Sequence, residues 1–530
     1  MFRIFFWLIV GLLYSQERMI MPYDWSGHQG YVIINGRYMW NQDWTSGPFF
    51  FDGTYTNYPS LFGPEILSGF MSTSSDSLLL DTNTVTSYFD YVQGDYFLDK
   101  LAISTEYSGN GRYFHLHGFK RTFAGAYSQY IPPNTTIRPI QQTYTAHYVS
   151  NKDQDEASVA IGHFNTSSGL PDTMGISLID SRVTTTSIYW KHSKEQFFYK
   201  LEGNNFLHRY DTDHSQALTS RVRYLTRSRY QGSFQWKKDE NSSLYFFVTT
   251  NDRTLRENSF NKISWNELSM MGDYSFISLK TGIVKTGNDI QWVTNGSTKF
   301  QWKNYSVGTR LKRDVIPVHT FISDSLTLET RDLIEISGKW SIKKLSINVW
   351  IYNNQYHYSS NLSLGNNNIP TIVSNTWIAG ELATKLRDAW LFSVYYGHQE
   401  SEGFISDGIG NRINIRFLGK NKLFKGKLDL VTSLSVHGWL NREYTSAIHP
   451  TEFYPIAWIS DSSLKDKWFV NLSIIGQVRS FILKYELHNV AQIMTSFIDF
   501  GDSDFTLDLN PFFPPNRRLA SLSIEWHFID

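Results

Sequence analysis

The sequence predicts an all-β protein, a single large antiparallel transmembrane β-barrel of about 22 strands, within a range of roughly 18 to 26. Three observations predict this fold class. Apolar and polar residues alternate with a period of two along many segments, the connections between those segments alternate between short and long, and aromatic residues make up 16% of the 530-residue chain. Short turns at one end, long loops at the other and aromatic girdles at both interfaces are typical of such barrels.

The last stretch of the chain, residues 519–530, shows the alternation most clearly. The apolar face consists of Ala520, Leu522, Ile524, Trp526 and Phe528, and the polar face of Ser521, Ser523, Glu525 and His527. In a membrane barrel the apolar face contacts lipid and the polar face lines the lumen. A terminal strand ending in Phe resembles the closing strand of bacterial outer-membrane barrels. The resemblance implies that Trp526 and Phe528 form the C-terminal signal read by the barrel assembly machinery.

The N-terminus has the pattern of a secretory signal peptide over residues 1–15. Arg3 supplies the positive charge, an apolar run of eleven residues extends from Ile4 to Tyr14, and Ser15 is a small residue suited to cleavage. The run is too short to span a bilayer as a helix, and an uncleaved anchor is the alternative. The chain has no cysteine, which excludes a disulfide framework and a lipidated cysteine and suits export.

Composition excludes several other classes of protein. No later stretch approaches about 18 consecutive apolar residues, and the mean hydropathy is slightly polar at −0.33, which argues against a bundle of membrane helices. The 49 basic and 49 acidic residues give a formal net charge of zero, and no polybasic segment suggests a nucleic-acid partner. The sequence contains no phosphate-binding glycine loop and no dinucleotide fingerprint, so we expect no cofactor.

Residues 16–95 are the least regular part of the chain. Strands are predicted at Tyr31–Tyr38 and Phe49–Tyr55, and the stretch from Gly63 to Thr84 has a loop-like composition. This N-terminal segment is either the first part of the barrel, which we favour, or a small periplasmic piece. The transmembrane barrel itself is assigned to residues 96–530.

From Gly94 onwards the strand pattern is steady. The turn Ser108–Gly111 contains Asn-Gly, a strong signal for a β-hairpin, and residues 141–149 and 157–164 form another predicted strand pair. The C-terminal third is the clearest part. Alternating strands are predicted there around Leu345–Ile351, Trp390–Tyr396, Ile413–Phe417, Leu428–Val436, Trp468–Ile474 and Phe481–Leu487.

The lengths of the connections provide the strongest single observation. Short connections at Ser341–Lys343, Lys385–Arg387, Lys420–Lys425 and Gln477–Ser480 alternate with long ones at Gln355–Thr371, Gln399–Gly410, Asn441–Lys465 and Gln492–Asn516. Outer-membrane barrels have short periplasmic turns and long extracellular loops. A soluble β-sandwich has no reason to alternate so regularly over four successive hairpins, so we expect the short set to be periplasmic.

The last two strands resemble the C-terminus of TonB-dependent receptor barrels. The resemblance rests on the strand Lys484–Val490, which ends in Asn-Val, on the loop segment Asn510–Arg518 with its prolines and arginines, and on the final Phe-terminated strand. It covers about fifty residues, 484–530. The region Tyr91–Asp172, including Gln141–Tyr144 and Gly162–Thr166, is similar to porin-like barrels of Bacteroidetes-type bacteria. Both resemblances imply a Gram-negative outer-membrane transport barrel.

The N-terminal segment departs from the receptor pattern. TonB-dependent receptors carry an N-terminal plug domain inside the barrel, and residues 16–95 are too short for that plug and do not resemble it. We therefore expect no recognisable plug domain. The plug is then a separate polypeptide that acts with a TonB-type energising system, or the barrel is an open or loop-occluded porin.

Charged residues on the polar faces of the late strands are the candidates for lining the lumen. They are Arg412, Arg416, Lys427, Asp429, Lys484, Glu486, His488, Glu525 and His527. Rings of such charges select which solutes pass through a pore. The alternative is that they only solvate the lumen and pair across neighbouring strands.

Aromatic residues in the long loops are the extracellular candidates, represented by Trp458, Phe500, Phe512 and Phe513. They either fold inward as a constriction or bind a partner, and the alternative is packing between neighbouring loops. His115 and His117 lie two apart on one strand face, but no carboxylate or cysteine completes a metal site of known spacing, so we predict no metal site. No Ser, His and Asp set has a recognisable catalytic setting, so we predict no catalytic residue.

The sequence therefore predicts an outer-membrane porin or transporter barrel that moves a small solute through a polar lumen. Its expected partners are outer-membrane lipid, the barrel assembly machinery, a solute of unknown identity and, where a plug is supplied separately, that plug or a TonB-type system. We expect no enzymatic activity. Three alternatives remain open: a surface binding or adhesion protein that uses its loops on a closed barrel, an outer-membrane hydrolase, and a soluble protein of several β-sheets.

Overall fold

The computed structural model describes most of the barrel and parts of its connections. The described residues are 31–34, 37–40, 48–52, 83–131, 139–169, 176–214, 221–318, 326–357, 363–364, 367–368, 372–387, 389–402, 411–441, 446–448, 455–457, 466–494 and 517–529. The predicted signal peptide lies outside these residues.

The described chain forms one closed barrel of 22 antiparallel strands, each hydrogen-bonded to the next one in the chain, and the last strand pairs with the first. The all-β fold class and the predicted number of strands are confirmed. The first eleven barrel strands are β3 Thr84–Gly94, β4 Leu98–Gly109, β5 Arg112–Thr122, β6 Ile140–Lys152, β7 Asp155–Ser168, β8 Ile176–Lys194, β9 Phe197–His214, β10 Arg221–Asp239, β11 Ser242–Arg256, β12 Phe260–Tyr274 and β13 Ile277–Thr286.

The second half of the barrel consists of β14 Asp289–Trp302, β15 Tyr305–Pro317, β16 Leu328–Ile342, β17 Leu345–His357, β20 Ile372–Arg387, β21 Trp390–Glu402, β22 Asn411–Leu423, β23 Leu428–Leu440, β26 Lys467–Val478, β27 Phe481–His488 and β28 Leu519–Ile529.

Three small hairpins lie outside the barrel sheet, and one short helix follows β27. The hairpins pair β1 Tyr31–Ile34 with β2 Arg37–Trp40, β18 Ser363–Leu364 with β19 Asn367–Asn368, and β24 Ser446–Ile448 with β25 Pro455–Ala457. The helix, α1, spans Ala491–Met494. Within the described ranges, no helix is long and apolar enough to cross a membrane.

The two ends of the barrel differ in their connections. At one end, the turn end, strands are joined by two residues, as at 110–111, 153–154 and 195–196, or by the four residues 424–427. Asn110 and Gly111 both have positive φ, at 50° and 69°, as a two-residue hairpin turn of the mirror-image type requires. The Asn-Gly hairpin predicted from the sequence is therefore confirmed.

The other end, the loop end, carries the longer connections. They include 123–139, 358–371, 441–466 and 489–518, while 95–97, 257–259 and 287–288 are short. The predicted alternation between short turns and long loops is confirmed. By the general pattern of such barrels the turn end faces the periplasm.

Pairing between β28 and β3 closes the barrel. The register runs from Ser521 opposite Gly94 to Ile529 opposite Thr86. At the loop end the Asp95 N–H donates to the Ala520 carbonyl at 3.0 Å, and the Ala520 N–H donates to the Asp95 carboxylate at 2.9 Å. Closure leaves the barrel sheet, as far as the structure describes it, without an edge strand.

A tyrosine in the first turn at the loop end supports the same closure. The Tyr96 hydroxyl donates to the Arg518 carbonyl at 2.8 Å, just before β28 begins. Burial, followed by the charge of Asp95, raises the pKa of Tyr96 above its ordinary value. The phenol therefore remains a neutral hydrogen-bond donor at any physiological pH.

The outer face of the barrel is apolar and exposed, the reverse of a soluble protein. In neighbouring strands Val248, Leu268 and Ile283 align through the registers of β11, β12 and β13, and Val248 and Leu268 are more than half exposed. Large exposed rings occur near the turn end, among them Tyr274 at 70% and Phe424 at 74% exposure. This surface suits hydrocarbon with aromatic residues at its boundary.

Several strands extend beyond the apolar band. β8 and β10 each have 19 residues, whereas a bilayer needs about 9 to 11 per tilted strand. Towards the loop end their outer faces and those of their neighbours are polar. Arg209 pairs there with Asp211, and Thr250 donates to the Asn266 side chain at 2.9 Å. The barrel therefore has a polar outer collar above the band.

The N-terminal segment differs from its predicted strand structure. The first barrel strand, β3, begins at Thr84, so it lies inside the segment 16–95, for which the first part of the barrel is the favoured of the two interpretations. The described residues 48–52 belong to no strand, although Phe49–Tyr55 reads as one. Three consecutive phenylalanines cannot divide into one apolar and one polar face, and here they are bound inside the barrel instead.

Because the outer surface faces lipid, a charged residue placed on it should lower the free energy of unfolding by an amount that depends on its depth in the bilayer. Met270 lies on the outer face of β12 at 42% exposure, between Leu268 and Tyr274. We expect Met270→Lys to lower the free energy of unfolding in lipid by about 2–4 kcal/mol, because the ammonium is placed in hydrocarbon. Urea titration of the folded barrel in vesicles measures this value.

The matched control is Ser264→Lys on the same face of β12, in the polar collar beside Asp252. It should cost about 0–1 kcal/mol, as at an interface. Equal costs at the two positions would contradict the placement of the apolar band.

Candidate functional site in the barrel lumen

The lumenal wall is polar and charged, and its charges pair across neighbouring strands. Arg229 on β10 contacts Glu202 on β9 at 2.6 Å, and Lys280 on β13 contacts Glu267 on β12 at 2.6 Å. Further round the barrel Arg331 contacts Asp314 at 2.8 Å. Opposite charges on adjacent strands stabilise the sheet and keep the lumen hydrophilic.

An arginine stripe distinguishes one part of this wall. Arg223, Arg227 and Arg229 lie on the same face of β10, because they have the same parity in the strand, and Arg253 lies on β11 beside them. The residues opposite Arg227 and Arg229 on β11 are Arg253 and Asn251. Cationic groups therefore concentrate on one lumenal region.

The segment Pro48–Asp52 is bound against this region. The Arg253 guanidinium donates to both carboxylate oxygens of Asp52, from Nε at 3.0 Å and from Nη2 at 2.9 Å, and both side chains are 0% exposed. Nη1 of Arg253 donates to the Val318 carbonyl at 3.0 Å. A bidentate arginine–carboxylate pair fixes the position and orientation of the carboxylate.

The backbone of the segment is bound as well. The Thr185 hydroxyl on β8 accepts from the Phe50 N–H at 3.2 Å and donates to the Phe50 carbonyl at 2.6 Å. Arg227 donates to the Asp52 carbonyl. Three backbone polar groups of the segment, the Phe50 N–H and the carbonyls of Phe50 and Asp52, are thus satisfied by barrel side chains, as buried groups require.

Aromatic contacts complete the binding of the segment. The Phe49 ring meets Phe164 edge-on with centroids 6.0 Å apart, and the Phe51 ring meets Phe206 at 6.2 Å. The guanidinium groups of Arg227 and Arg229 lie 5.2 Å and 4.8 Å from the centroid of the Phe50 ring. The surrounding apolar side chains are Ala160, Val183, Leu225 and Leu255.

The bound segment lies towards the loop end of the lumen. Arg253 is three residues from the end of β11 at Arg256, and Val318 directly follows the last residue of β15. The wall that it touches is formed by β7, β8, β9, β10 and β11. We call the wall residues Phe164, Thr185, Phe206, Arg227, Arg229 and Arg253 the lumenal cradle.

The predicted lumen residues on β22 and β23 lie elsewhere on the wall. Arg412 is 1% exposed, stacks on Trp377 at 4.8 Å and reaches the Gln399 side chain at 3.3 Å. Arg416 is on the same face of β22 and half-buried. Asp429 pairs with Lys422 at 3.3 Å, and Lys427 lies in the turn 424–427 rather than on a strand.

The predicted residues on β27 and β28 pair mainly within their own strands. Lys484 contacts Glu486 at 2.8 Å, His488 is buried at the end of the same strand, and Glu525 pairs with His527. The strands β23 and β26 separate this group from Arg412 and Arg416. The candidates therefore form two groups on the wall and not one ring.

The remaining candidates divide between the outer face and the loops. Trp526 and Phe528 are exposed on the outer face of β28, with ring centroids 4.6 Å apart, and Trp526 also meets Phe481 at 6.4 Å. The loop candidates Trp458, Phe500, Phe512 and Phe513 lie outside the described residues.

Three lumenal histidines are part of hydrogen-bonded pairs. His115 bonds with Ser104 at 2.8 Å, His117 with Tyr88 at 3.3 Å and His147 with Ser158 at 3.0 Å. In the part of the chain that the structure describes, no three His, Cys, Asp or Glu side chains are placed to hold a metal ion.

Sequence reasoning missed the cradle and its occupant. One signal was present in β10, whose stretch Arg221–Arg229 has arginine at four positions of the same parity. Such a stripe on one strand face indicates an anion-binding wall. Nothing in the sequence pairs Asp52 with Arg253, since 201 positions separate them.

The docked position of the segment predicts a specific cross-link. Because the chain has no cysteine, a Phe49→Cys/Phe164→Cys variant has only the two introduced thiols. We expect a short bismaleimide to join them, as the two native rings are in contact. Mass spectrometry of the digested protein detects the joined peptides.

The control pairs Phe49→Cys with Ser393→Cys on β21, which lies on the opposite side of the barrel. A cross-link there in similar yield, or none between positions 49 and 164, would contradict the docked position.

The fold has clear relatives among solved structures. The FrpB iron transporter of Neisseria meningitidis (F3-3 variant) superposes with a TM-score of 0.63 over 86% of this chain and 83% of its own, at 9% identity. The siderophore receptor PirA of Pseudomonas aeruginosa gives a TM-score of 0.56 over 85% and 81%, at 10% identity. A mutant of the ferric enterobactin receptor PfeA of the same organism gives 0.62 over 85% and 81%, at 9% identity.

Sequence comparison adds no relative. No family model matches the chain, and no curated protein matches it. At these low identities the structural likeness establishes the fold alone. The resemblance to receptor barrels drawn from the C-terminal residues is confirmed at that level. The chain is a closed 22-strand antiparallel β-barrel, and it shares this fold with the barrels of solved iron transporters and siderophore receptors.

Proposed function

We propose that the chain moves a small solute across the outer membrane through its lumen. The observation that carries the proposal is the closed 22-strand barrel whose inner wall is charged and whose outer wall is apolar. A barrel of this size encloses more space than its own side chains fill. The transport proteins that share the fold support a transport role, and the proposal includes no covalent chemistry.

Selection would depend on the lumenal charges. Paired groups such as Arg331 and Asp314 neutralise each other locally, whereas arginines are concentrated in the stripe on β10 and β11 and again, as Arg412 and Arg416, on β22. A solute entering the lumen would therefore meet a positive electrostatic potential near these two parts of the wall, which favours anions. We propose this role for the predicted lumen residues as a group.

The docked segment would act as a resident obstruction near the loop end. Asp52 is covalently connected to β3, which starts 32 residues later at Thr84, at the turn end of the barrel. Passage of a large solute would require the segment to leave the cradle. A separately encoded plug, a TonB-type energising system or the solute itself could supply the free energy for this displacement.

The surface residues fit a lipid-embedded barrel. Trp526 and Phe528 end the last strand on its outer face, where we propose that they serve as the signal for the barrel assembly machinery. We also propose that residues 1–15 are a signal peptide and that residues 16–95 form an N-terminal segment. The end of that segment is β3, the first strand of the barrel.

Conductance in planar bilayers tests the transport proposal. We expect the purified, refolded chain to show stable single-channel steps, and a variant with Phe49→Ser, Phe50→Ser, Phe51→Ser and Asp52→Ser to show larger or more frequent steps. The reason is that the substitutions remove the ring contacts and the Asp52–Arg253 pair that hold the segment. Well-folded protein that is silent in both forms would contradict an open or openable pore.

Ion selectivity tests the lumenal charges separately. Arg416→Glu should shift the reversal potential in a salt gradient towards cation preference, because it exchanges a positive for a negative charge in the pore. Lys262→Glu makes the same charge change on the outer collar, where Lys262 pairs with Asp252 at 3.3 Å, and should leave the selectivity unchanged. An equal shift in both variants would show that Arg416 does not line the conducting path.

A further inference from the structure

We propose that the lumenal cradle is a binding site for acidic, phenylalanine-containing peptides, and that Phe49–Asp52 occupies it as a tethered surrogate for such a solute. The proposal rests on the transport function above and specifies the class of solute. Three kinds of contact carry it: to a carboxylate, to a peptide backbone and to aromatic rings.

The carboxylate contact is the most specific one. Arg253 directs Nε and Nη2 at the two oxygens of Asp52, at 3.0 Å and 2.9 Å, in a site with no exposed surface on either side chain. The Val318 carbonyl accepts from Nη1 and so fixes the guanidinium. A rigid fork held in this way prefers a planar carboxylate to a halide or a neutral amide.

The backbone contact identifies the ligand as a peptide rather than a simple aromatic acid. Thr185 is both acceptor and donor for the N–H and carbonyl of one residue, Phe50. Arg227 donates to the carbonyl of the acidic residue two positions later. These groups recognise an extended backbone whatever its side chains, as in other modes of peptide capture.

The ring contacts select aromatic side chains on both sides of that backbone. Phe164 and Phe206 receive the rings of residues 49 and 51, while two guanidinium groups lie over the ring of residue 50. Edge-on ring pairs and cation–π contacts each add specificity beyond the burial of apolar area.

The cradle is not needed to hold its own strands together. The ladders between β7 and β8, β8 and β9, β9 and β10, and β10 and β11 run in continuous register past the site, with shifts only at 176–178 and 237–239, away from it. The cradle's threonine and arginine groups therefore serve the occupant. A binding site for a removable occupant explains why the polar groups of Thr185, Arg227 and Arg253 converge on the four residues Phe49–Asp52.

The segment Phe49–Asp52 competes with any free peptide for the lumenal cradle, so peptide binding is measured on a variant in which the segment cannot bind. A segment covalently linked to its binding site has an effective concentration of about millimolar, so a free peptide competes poorly with it. The variant with Phe49→Ser, Phe50→Ser, Phe51→Ser and Asp52→Ser leaves the wall intact and removes the occupant's recognition groups.

The experiment measures binding of a blocked, fluorescently labelled peptide that copies residues 48–53 to this variant in detergent, by fluorescence anisotropy. We expect saturable binding to the variant and much weaker binding to the unmodified chain. Replacing the peptide's Asp by Asn, or adding Arg253→Met to the variant, should weaken binding about 10- to 100-fold, the usual range for a hydrogen-bonded charge. Adding Arg412→Met, at a different part of the wall, should not.

Heat-dependent gel mobility shows that each variant is folded, and Arg253→Lys replaces Arg253→Met if the latter does not fold. Absence of binding, or binding that ignores both the Asn peptide and Arg253, would overturn the proposal. If the variant conducts ions but binds no peptide, the peptide-binding proposal is contradicted and the transport proposal stands. If the variant binds peptide but never conducts, the transport proposal is contradicted and the peptide-binding proposal stands.

Discussion

Every backbone N–H and carbonyl at membrane depth must find a partner inside the protein, and the rest of this structure depends on that constraint. Twenty-two strands meet it only because β28 pairs with β3. Closure explains the fixed register of neighbouring strands and the tight turns at one end. It also fixes which residues face outwards, since a shift of one residue would exchange the two faces of a strand.

Once the faces are fixed, the chemistry of the two walls follows. Outward residues such as Val248 and Leu268 meet hydrocarbon, so charge is confined to the lumen and to the collar above the band. The lumen therefore collects ion pairs, arginines and histidines that a soluble core of this size would not tolerate. The buried pair of Asp52 and Arg253 is acceptable there because each oxygen of the carboxylate has its own donor.

Local patterns predicted much of this fold. The alternation in residues 519–530 and the Asn110–Gly111 turn rest on neighbouring residues, and both are present as expected. The predicted short connections are present too, although Lys385–Arg387 belongs to β20 and the connection follows that strand. Long-range contacts were not predictable. The sequence predicts a strand at Phe49–Tyr55, since aromatic residues favour strands. The described part, residues 49–52, is instead held by side chains more than a hundred positions away, Thr185 among them. The predicted charges on β22 and β27 were identified by parity, but their separation by β23 and β26 depends on the closed topology.

A disulfide across the closing seam tests the central claim most directly. Tyr91 on β3 and Ile524 on β28 are direct partners, and the native chain has no cysteine. Directly opposed residues of antiparallel strands lie about 4.5–5.5 Å apart, within reach of a disulfide. We predict that Tyr91→Cys/Ile524→Cys oxidises fully in outer membranes, whereas the offset pair Phe89→Cys/Ile524→Cys does not. No disulfide in the first pair, or equal yields in both, would contradict a barrel closed between β28 and β3.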